Sequence, residues 1–469
     1  MRKKKAKQIF ESLEVIDTAA KGKTVAKAPD GRVIFLSNAV PGDVVTIETY
    51  KKRKAYYEGK AIHFHQFSDK RTTPKCEHFG VCGGCKWQHM SYENQLIFKE
   101  KEVKNNLLRL GKIDVAEFIP ILGSKESYNY RNKMEFSFSS HRWLTLEEIN
   151  SDIELTDKNA LGFHIPGMWD KILDLNTCHL QADPSNEIRT KIRAFAIKNN
   201  LSFYNLRAHQ GLLRTLMIRT ASTGELMVMI QFGENNKEEI ELVLSYIKQE
   251  FPEITSLQYA VNLKQNDSIY DLDIQCYSGR DYIVEEMEGL HFKIQAKSFY
   301  QTNSKQAYEL YKITRDFAQL TGDEIVYDLY TGTGTIAQFV AKQAKKVIGI
   351  ESVEDAIKDA KENATTNKID NVSFYVGDMK NVFSDDFIQT HGAADVIITD
   401  PPRVGMHKDV VEQLIKAAPK RIVYVSCNSA TQARDLDLLK GHYSTIKSQA
   451  VDMFPQTHHV ENVVLLEKI

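Results

Sequence analysis

The chain has 469 residues, 42% of them hydrophobic and 26% charged, with a formal net charge of −1. This length allows about three domains with ample cores and excludes a small disulfide-stapled scaffold, while the near-zero total charge names no partner. The charge is uneven, however: residues 1–60 carry 14 Lys/Arg against 7 Asp/Glu, so the amino-terminal end is a candidate surface for a polyanion.

No apolar core follows Met1-Arg2-Lys3-Lys4-Lys5, and no apolar run approaches membrane-spanning length, so a cytoplasmic protein without membrane contact is expected. From about Leu13 to His65, short alternating segments are broken by turns at Asp30-Gly31 and Pro41-Gly42, which predicts a small closed barrel of the OB type. Lys51-Lys-Arg-Lys54 lies among Tyr50, Tyr56 and Tyr57, placing cations for phosphates near rings able to stack on bases. The competing reading is a solvated basic edge strand.

Six cysteines are too few for a disulfide framework in a chain of this length, which turns attention to metal binding or catalysis. Cys76-x5-Cys82-x2-Cys85 offers three thiolates, with Gly83 and Gly84 allowing a tight backbone around one centre. Soft ligands of this kind suit zinc or an iron–sulfur cluster, and the spacing differs from the Cys-x3-Cys-x2-Cys of radical adenosylmethionine enzymes. A zinc site completed by His78, His89 or His179 is the alternative. Ser91 then opens an amphipathic helix in which Leu96, Val103, Leu107 and Leu110 share a face until Gly111. From Tyr130 to about Ile283, strand-like runs such as 133–138 and 226–230 alternate with helical ones such as 237–250, predicting an α+β middle domain.

After Phe299 the pattern becomes β-α, with apolar strands expected at 325–329, 347–350, 372–376, 395–399 and 421–425. A doubly wound, mainly parallel sheet follows. Its first strand runs into the glycine turn Asp328-Leu-Tyr-Thr-Gly332-Thr-Gly334, and Glu351 ends the second strand, where an acid can accept bonds from ribose hydroxyls. The glycines alone fit adenosylmethionine and NAD equally. Asp378 follows the third strand and Asp400-Pro-Pro-Arg403 the fourth, at the sheet edge where ligands bind. Amino-group methylases carry an aromatic residue after the Pro-Pro pair, so Arg403 argues against that chemistry.

The fifth strand delivers Cys427 to the same edge. By position alone a buried structural thiol is the commoner reading. Uracil C5, however, is too weak a nucleophile to accept a methyl group until a thiolate adds at C6. A base must then remove the C5 proton, and Glu461, opening a final strand, is the candidate, ahead of His458 and His459.

On these residues the chain resembles the RumA/TrmA family of RNA uracil-5-methyltransferases over nearly its whole length. Ser-Cys427-Asn resembles the family's nucleophile motif and His459-Val-Glu461 its proton-acceptor motif. Phe299-Tyr-Gln301-Thr-Asn303, Asp328-Leu-Tyr330, Glu351 and Asp400-Pro-Pro-Arg resemble the cofactor motifs, implying that Gln301, Tyr330, Glu351 and Asp400, with Asp378, line an S-adenosyl-L-methionine site. Tyr130-Arg-Asn-Lys133 and Gly211-Leu-Leu-Arg214 also resemble family signatures. Thr331 stands where many relatives have a cysteine, a position that is not the nucleophile.

The resemblance further implies a TRAM domain at 1–66, a middle domain at 67–290 and a Rossmann-like class I methyltransferase domain at 291–469, with the helix from 91 to 111 packing on the last. It implies a [4Fe-4S] cluster on Cys76, Cys82, Cys85 and Cys178, and, from the cluster and TRAM domain together, 23S ribosomal RNA as the partner of a monomeric enzyme. A transfer-RNA T-loop enzyme and a non-catalytic ribosomal-RNA assembly factor are the alternatives. Cytosine-5 methylation would call for a paired cysteine motif or a Pro-Cys nucleophile, and neither is present.

Overall fold

The computed structural model describes residues 7–151 and 157–469. At the amino-terminal end β1 (Ile9–Ala19), β2 (Lys23–Lys27), β3 (Val33–Ser37), β4 (Val44–Lys52) and β5 (Tyr56–Gln66) close into a barrel in the order β1-β2-β3-β5-β4. Alternation puts Val15, Ala26, Ile34, Leu36, Val45 and Ile47 inside, so closure buries the apolar face and leaves no open sheet edge. Tyr57 also points inward and is fully buried, so of the three tyrosines around the basic run only Tyr50 and part of Tyr56 face outward. Buried Asp43 fastens the barrel to the next segment, accepting two 2.7 Å bonds from the Arg71 guanidinium.

The helix Tyr92–Asn105 starts at a Ser91 cap, and its last turn widens into a π-turn over Asn106–Leu110. The buried stripe is Gln95, Phe98, Lys99 and Val103 in the α-helix and Leu107 in the π-turn, whose widening turns Leu110 outward. Leu96 is only half-buried and Leu110 is 65% exposed, unlike the face expected from spacing. The chain continues into β6 (Val115–Leu122).

The middle sheet contains β7 (Lys133–Ser139), β8 (Ala160–Ile165), β9 (Met168–Asp174), β10 (Leu213–Thr220), β11 (Leu226–Phe232), β12 (Ser256–Val261) and β13 (Gln275–Gly279). Their order is β13-β12-β11-β10-β7-β8-β9. Helices Ser185–Lys198 and Lys237–Glu250 cover one face through Ile188, Ile192, Val243, Leu244 and Ile247. A hairpin, β14 (Tyr282–Met287) and β15 (Leu290–Gln295), leads to the last sheet.

That sheet contains β16 (Ile325–Leu329), β17 (Lys346–Glu351), β18 (Val372–Val376), β19 (Val396–Thr399), β20 (Arg421–Ser426), β21 (Tyr443–Val451) and β22 (Glu461–Lys468). The order is β18-β17-β16-β19-β20-β22-β21-β6, with β16 to β20 parallel and β22 antiparallel to both its neighbours. Both faces are covered, as parallel strands require. Val326, Ile398 and Val423 meet Leu310 and Ile336 on one face, whereas Tyr327, Ile397 and Tyr424 meet Val411, Leu414 and Leu436 on the other. β6, from the 67–290 segment, adds to this sheet as an edge strand beside β21. Among the described residues no helix is long and apolar enough to cross a membrane.

Candidate active site and cysteine pocket

Strand register assembles the site. Ser426 pairs with Asn462 across β20 and β22, so the next residue on one strand and the preceding residue on the other, Cys427 and Glu461, face each other at the sheet edge. Thr399 pairs with Tyr424, and Leu329 with Thr399, which brings Asp400 and the end of β16 to that edge. It lies where the strand order changes direction around β16, the crevice in which such sheets bind ligands.

These groups also act on one another electrostatically. Burial, then the Asp400 charge, pushes the Glu461 carboxyl up to about 8. Burial raises Asp400 to about 7, and buried Asp328, which accepts a bond from Thr331 Oγ1, also rises to about 7. Cys427 is pushed up to about 11 by burial and by Glu461 and Asp400, with Arg403 opposing. His458 and His459 are driven down to about 4 and about 3, chiefly by burial, so both are neutral and weakly basic at pH 7. Once ionised, Glu461 is therefore a stronger base than either histidine.

Asn428 caps the helix Ser429–Leu439 by accepting from Ala430 N at 3.2 Å, and its amide donates to Arg403 O at 3.0 Å. Arg403 is thereby held beside Cys427. Fully buried Asp435 accepts from Tyr424 Oη at 2.7 Å and from Met406 N at 2.8 Å, fixing the far side of the same loop. Arg403, Asp435, Asp328 and the buried hydroxyl of Tyr311, which faces all three acids, escaped the sequence reading as site residues. Arg403 carried a signal as the cation ending Asp-Pro-Pro-Arg, and Asp328 as the residue opening the glycine turn; Asp435 and Tyr311 resemble ordinary core positions.

A second group of expected site residues includes three that gather at or past the ends of β16, β17 and β18. Tyr330 adopts φ +64, and its hydroxyl is influenced by Asp378 and Glu351, so these three gather on one side. Glu351 accepts from Gly332 N at 3.2 Å and from Ser352 N at 2.7 Å, which holds the acid at the glycine turn. Gly334 has φ +76, and a Cβ there would sit 2.7 Å from Phe374 and 2.9 Å from Ala360. No larger residue fits without strain. Gln301 is anchored through its carbonyl, which accepts from Asn132 Nδ2 at 2.9 Å.

Cys76, Cys82, Cys85 and Cys178 are free thiols that line one cavity of about 550 Å³. Their pKa values rise, to about 11 for Cys82 and about 12 for Cys85, through burial first and then neighbouring thiols. The backbone is fixed around them: Cys76 N donates to Gln88 Oε1 at 3.1 Å and Cys178 N to Asn186 Oδ1 at 2.8 Å. His89 lies outside the cavity, with Nε2 3.2 Å from Ala39 O, and His78 Nε2 accepts from Asn176 N at 3.0 Å. Among the described residues, no three His, Cys, Asp or Glu side chains form a group able to hold a single metal ion. Cys276 is exposed and stands apart from this pocket.

A family model described as tRNA (Uracil-5-)-methyltransferase matches residues 272–469. A protein of Bacteroides thetaiotaomicron, named an uncharacterized RNA methyltransferase, is 57% identical over 96% of this chain and 99% of its own length. One from Chlorobaculum tepidum, similarly named, is 39% identical over 97% of this chain and 96% of its own. Among solved structures, the Pyrococcus abyssi tRNA (uracil-54, C5)-methyltransferase in complex with S-adenosyl-L-homocysteine is 28% identical, with a TM-score of 0.75 over 97% of this chain and 100% of that one. The chain belongs to the S-adenosylmethionine-dependent RNA uracil-5-methyltransferase family.

Proposed function

We propose that this enzyme methylates C5 of a uridine in 23S ribosomal RNA, with Cys427 as covalent nucleophile and Glu461 as proton acceptor. The observation that carries the mechanism is the register of β20 against β22, which sets thiol and carboxyl opposite each other beside Asp400. The target uridine leaves its stack to enter the crevice. Cys427 Sγ, as thiolate, adds to C6, and the electron pair gathers at C5. S-adenosylmethionine supplies the methyl group that C5 accepts. Glu461 then takes the C5 proton, the C5–C6 double bond reforms and the C6–S bond breaks, returning Cys427 as thiolate. Arg403 favours that thiolate in the free and released states.

Gln301, Tyr330, Glu351, Asp378 and Asp400 would hold the methyl donor, the glycine turn allowing close backbone approach. Four thiols around a cavity of this size suit a [4Fe-4S] cluster, which Cys76, Cys82, Cys85 and Cys178 would hold as a cross-link between two distant segments. Ribosomal RNA is favoured by the barrel and cysteine pocket together. A transfer-RNA substrate is the second reading, favoured by the full-length likeness to the Pyrococcus enzyme. Mapping 5-methyluridine in both RNA classes from a deletion strain decides, with loss from 23S ribosomal RNA expected. Loss from transfer RNA alone establishes the second reading. Colourless protein with zinc and no iron, purified without air, would overturn the cluster assignment.

A further inference from the structure

The loop Asn129–Asn132, just before β7, touches none of the reacting residues, yet its successive members bond three different functional segments. On one side Asn129 N donates to His179 O at 2.9 Å and Arg131 N to Leu180 O at 2.8 Å, pairing the loop with the backbone that follows Cys178. Between these bonds, Tyr130 turns the other way. Its buried hydroxyl donates to Pro455 O at 2.9 Å, inside the 452–460 turn that leads into Glu461. The Arg131 guanidinium lies 5.8 Å from the Phe454 ring in the same turn. Asn132 reaches the third segment: its N donates to Thr302 O at 2.9 Å, and its Nδ2 to Gln301 O at 2.9 Å and Ser304 Oγ at 2.7 Å. Arg131 and Thr302 also line the cysteine cavity.

We infer that Asn129–Asn132 is a positioning bridge, through which the cysteine pocket sets both the methyl-donor segment and the turn carrying the proton acceptor. Tyr130 and Asn132 are 6% and 8% exposed, so neither can swing aside to break one connection while keeping the others. Buried hydrogen bonds of this kind are costly to leave unmade, so a displaced Cys178 segment must drag the bridge or forfeit its bonds. The two side chains serve different steps: Asn132 holds Gln301, and Tyr130 holds the Glu461 turn.

The inference rests on the proposed function, and three variants separate the two. S-adenosylhomocysteine affinity is measured by calorimetry, and proton removal by tritium release from 5-tritiated uridine RNA at saturating methyl donor. Melting temperature is followed alongside. Asn132→Ala is expected to weaken S-adenosylhomocysteine binding about ten-fold while leaving the release rate within about two-fold. Tyr130→Phe, which removes a single hydroxyl, is expected to slow release about ten-fold with affinity within about two-fold. Cys178→Ser, or chelator treatment of the wild-type protein should the variant not fold, is expected to impair both.

A merely structural role would lower both quantities in parallel with stability in every variant, and that result overturns the bridge. So does an emptied cysteine pocket that leaves both quantities at wild-type values. Absence of tritium release from the wild-type protein would instead overturn the functional reading, because the bridge is judged on differences between variants.

Discussion

At the scale of single residues, the site is a set of acids that burial makes reluctant to ionise. Glu461 near 8, with Asp400 and Asp328 near 7, all bind protons more tightly in the folded protein than in the unfolded chain. Between pH 7 and 8 the folded state therefore holds more protons, and stability falls as pH rises. Below about 6.5 the buried histidines contribute with the opposite sign, because unfolding lets them charge. Urea denaturation of the ligand-free protein is expected to show a loss of about 1–2 kcal/mol from pH 7 to 8. Glu461→Gln should remove about half of it, whereas a flat or rising profile would refute the assigned burial. In the proposed reaction the same shifts would have a use: a carboxyl near 8 can give up and take back a proton close to neutral pH, and a sulfonium cation nearby would favour its ionised form.

At the scale of elements, the 452–460 turn between β21 and β22 is held from more than one side. Helix Tyr92–Asn105 grips it from one side, where Gln95 Nε2 donates to Gln456 Oε1 at 3.0 Å and Gln95 Oε1 accepts from Gln456 N at 2.9 Å. Fully buried Lys99 donates to Asp452 at 2.6 Å and to Phe454 O at 3.2 Å. Lys99→Met is expected to cost about 3–5 kcal/mol by leaving Asp452 uncompensated, and adding Asp452→Leu should return most of it. A double variant no more stable than the single one would contradict this account of the pair.

The same elements show what a sequence can disclose. Apolar runs marked every parallel strand from Ile325 to Ser426 because buried parallel strands need continuous hydrophobic stretches. Their places at strand ends and their resemblance to family motifs singled out Cys427 and Glu461, and the structure brings the two to one sheet edge, apart from the four pocket thiols. Register between β20 and β22, and the pairing of β6 with β21, depend on contacts hundreds of residues apart and leave no local trace. Leu110 was misplaced because a π-turn alters the helical period. Asp435 acts through a long-range bond that nothing adjacent in sequence announces, and the Tyr130-Arg-Asn-Lys133 motif flags Asn132 without revealing its partners Gln301 and Ser304.

At the scale of the whole molecule, the barrel, the cysteine segment and the 452–460 turn form one continuous structure. Trp87, two residues past Cys85, donates from its indole to Gly22 O of the barrel at 3.2 Å and from its backbone to Gln456 O at 3.0 Å. A polyanion on the barrel would thereby be placed relative to the Cys427 edge of the sheet. Lys52, Arg53 and Lys54 are exposed, and replacing all three with serine should reduce the slope of log affinity against log salt by about 2 for single-stranded RNA. An unchanged slope in filter-binding titrations would remove this run from the RNA surface. The central claim, covalent catalysis by Cys427, is tested most directly by peptide mass mapping of the protein after reaction with 5-fluorouridine RNA and methyl donor. The expected result is one RNA adduct on the peptide containing Cys427, lost in Cys427→Ala with S-adenosylhomocysteine binding retained. An adduct on another residue, or one that persists in Cys427→Ala, would contradict it.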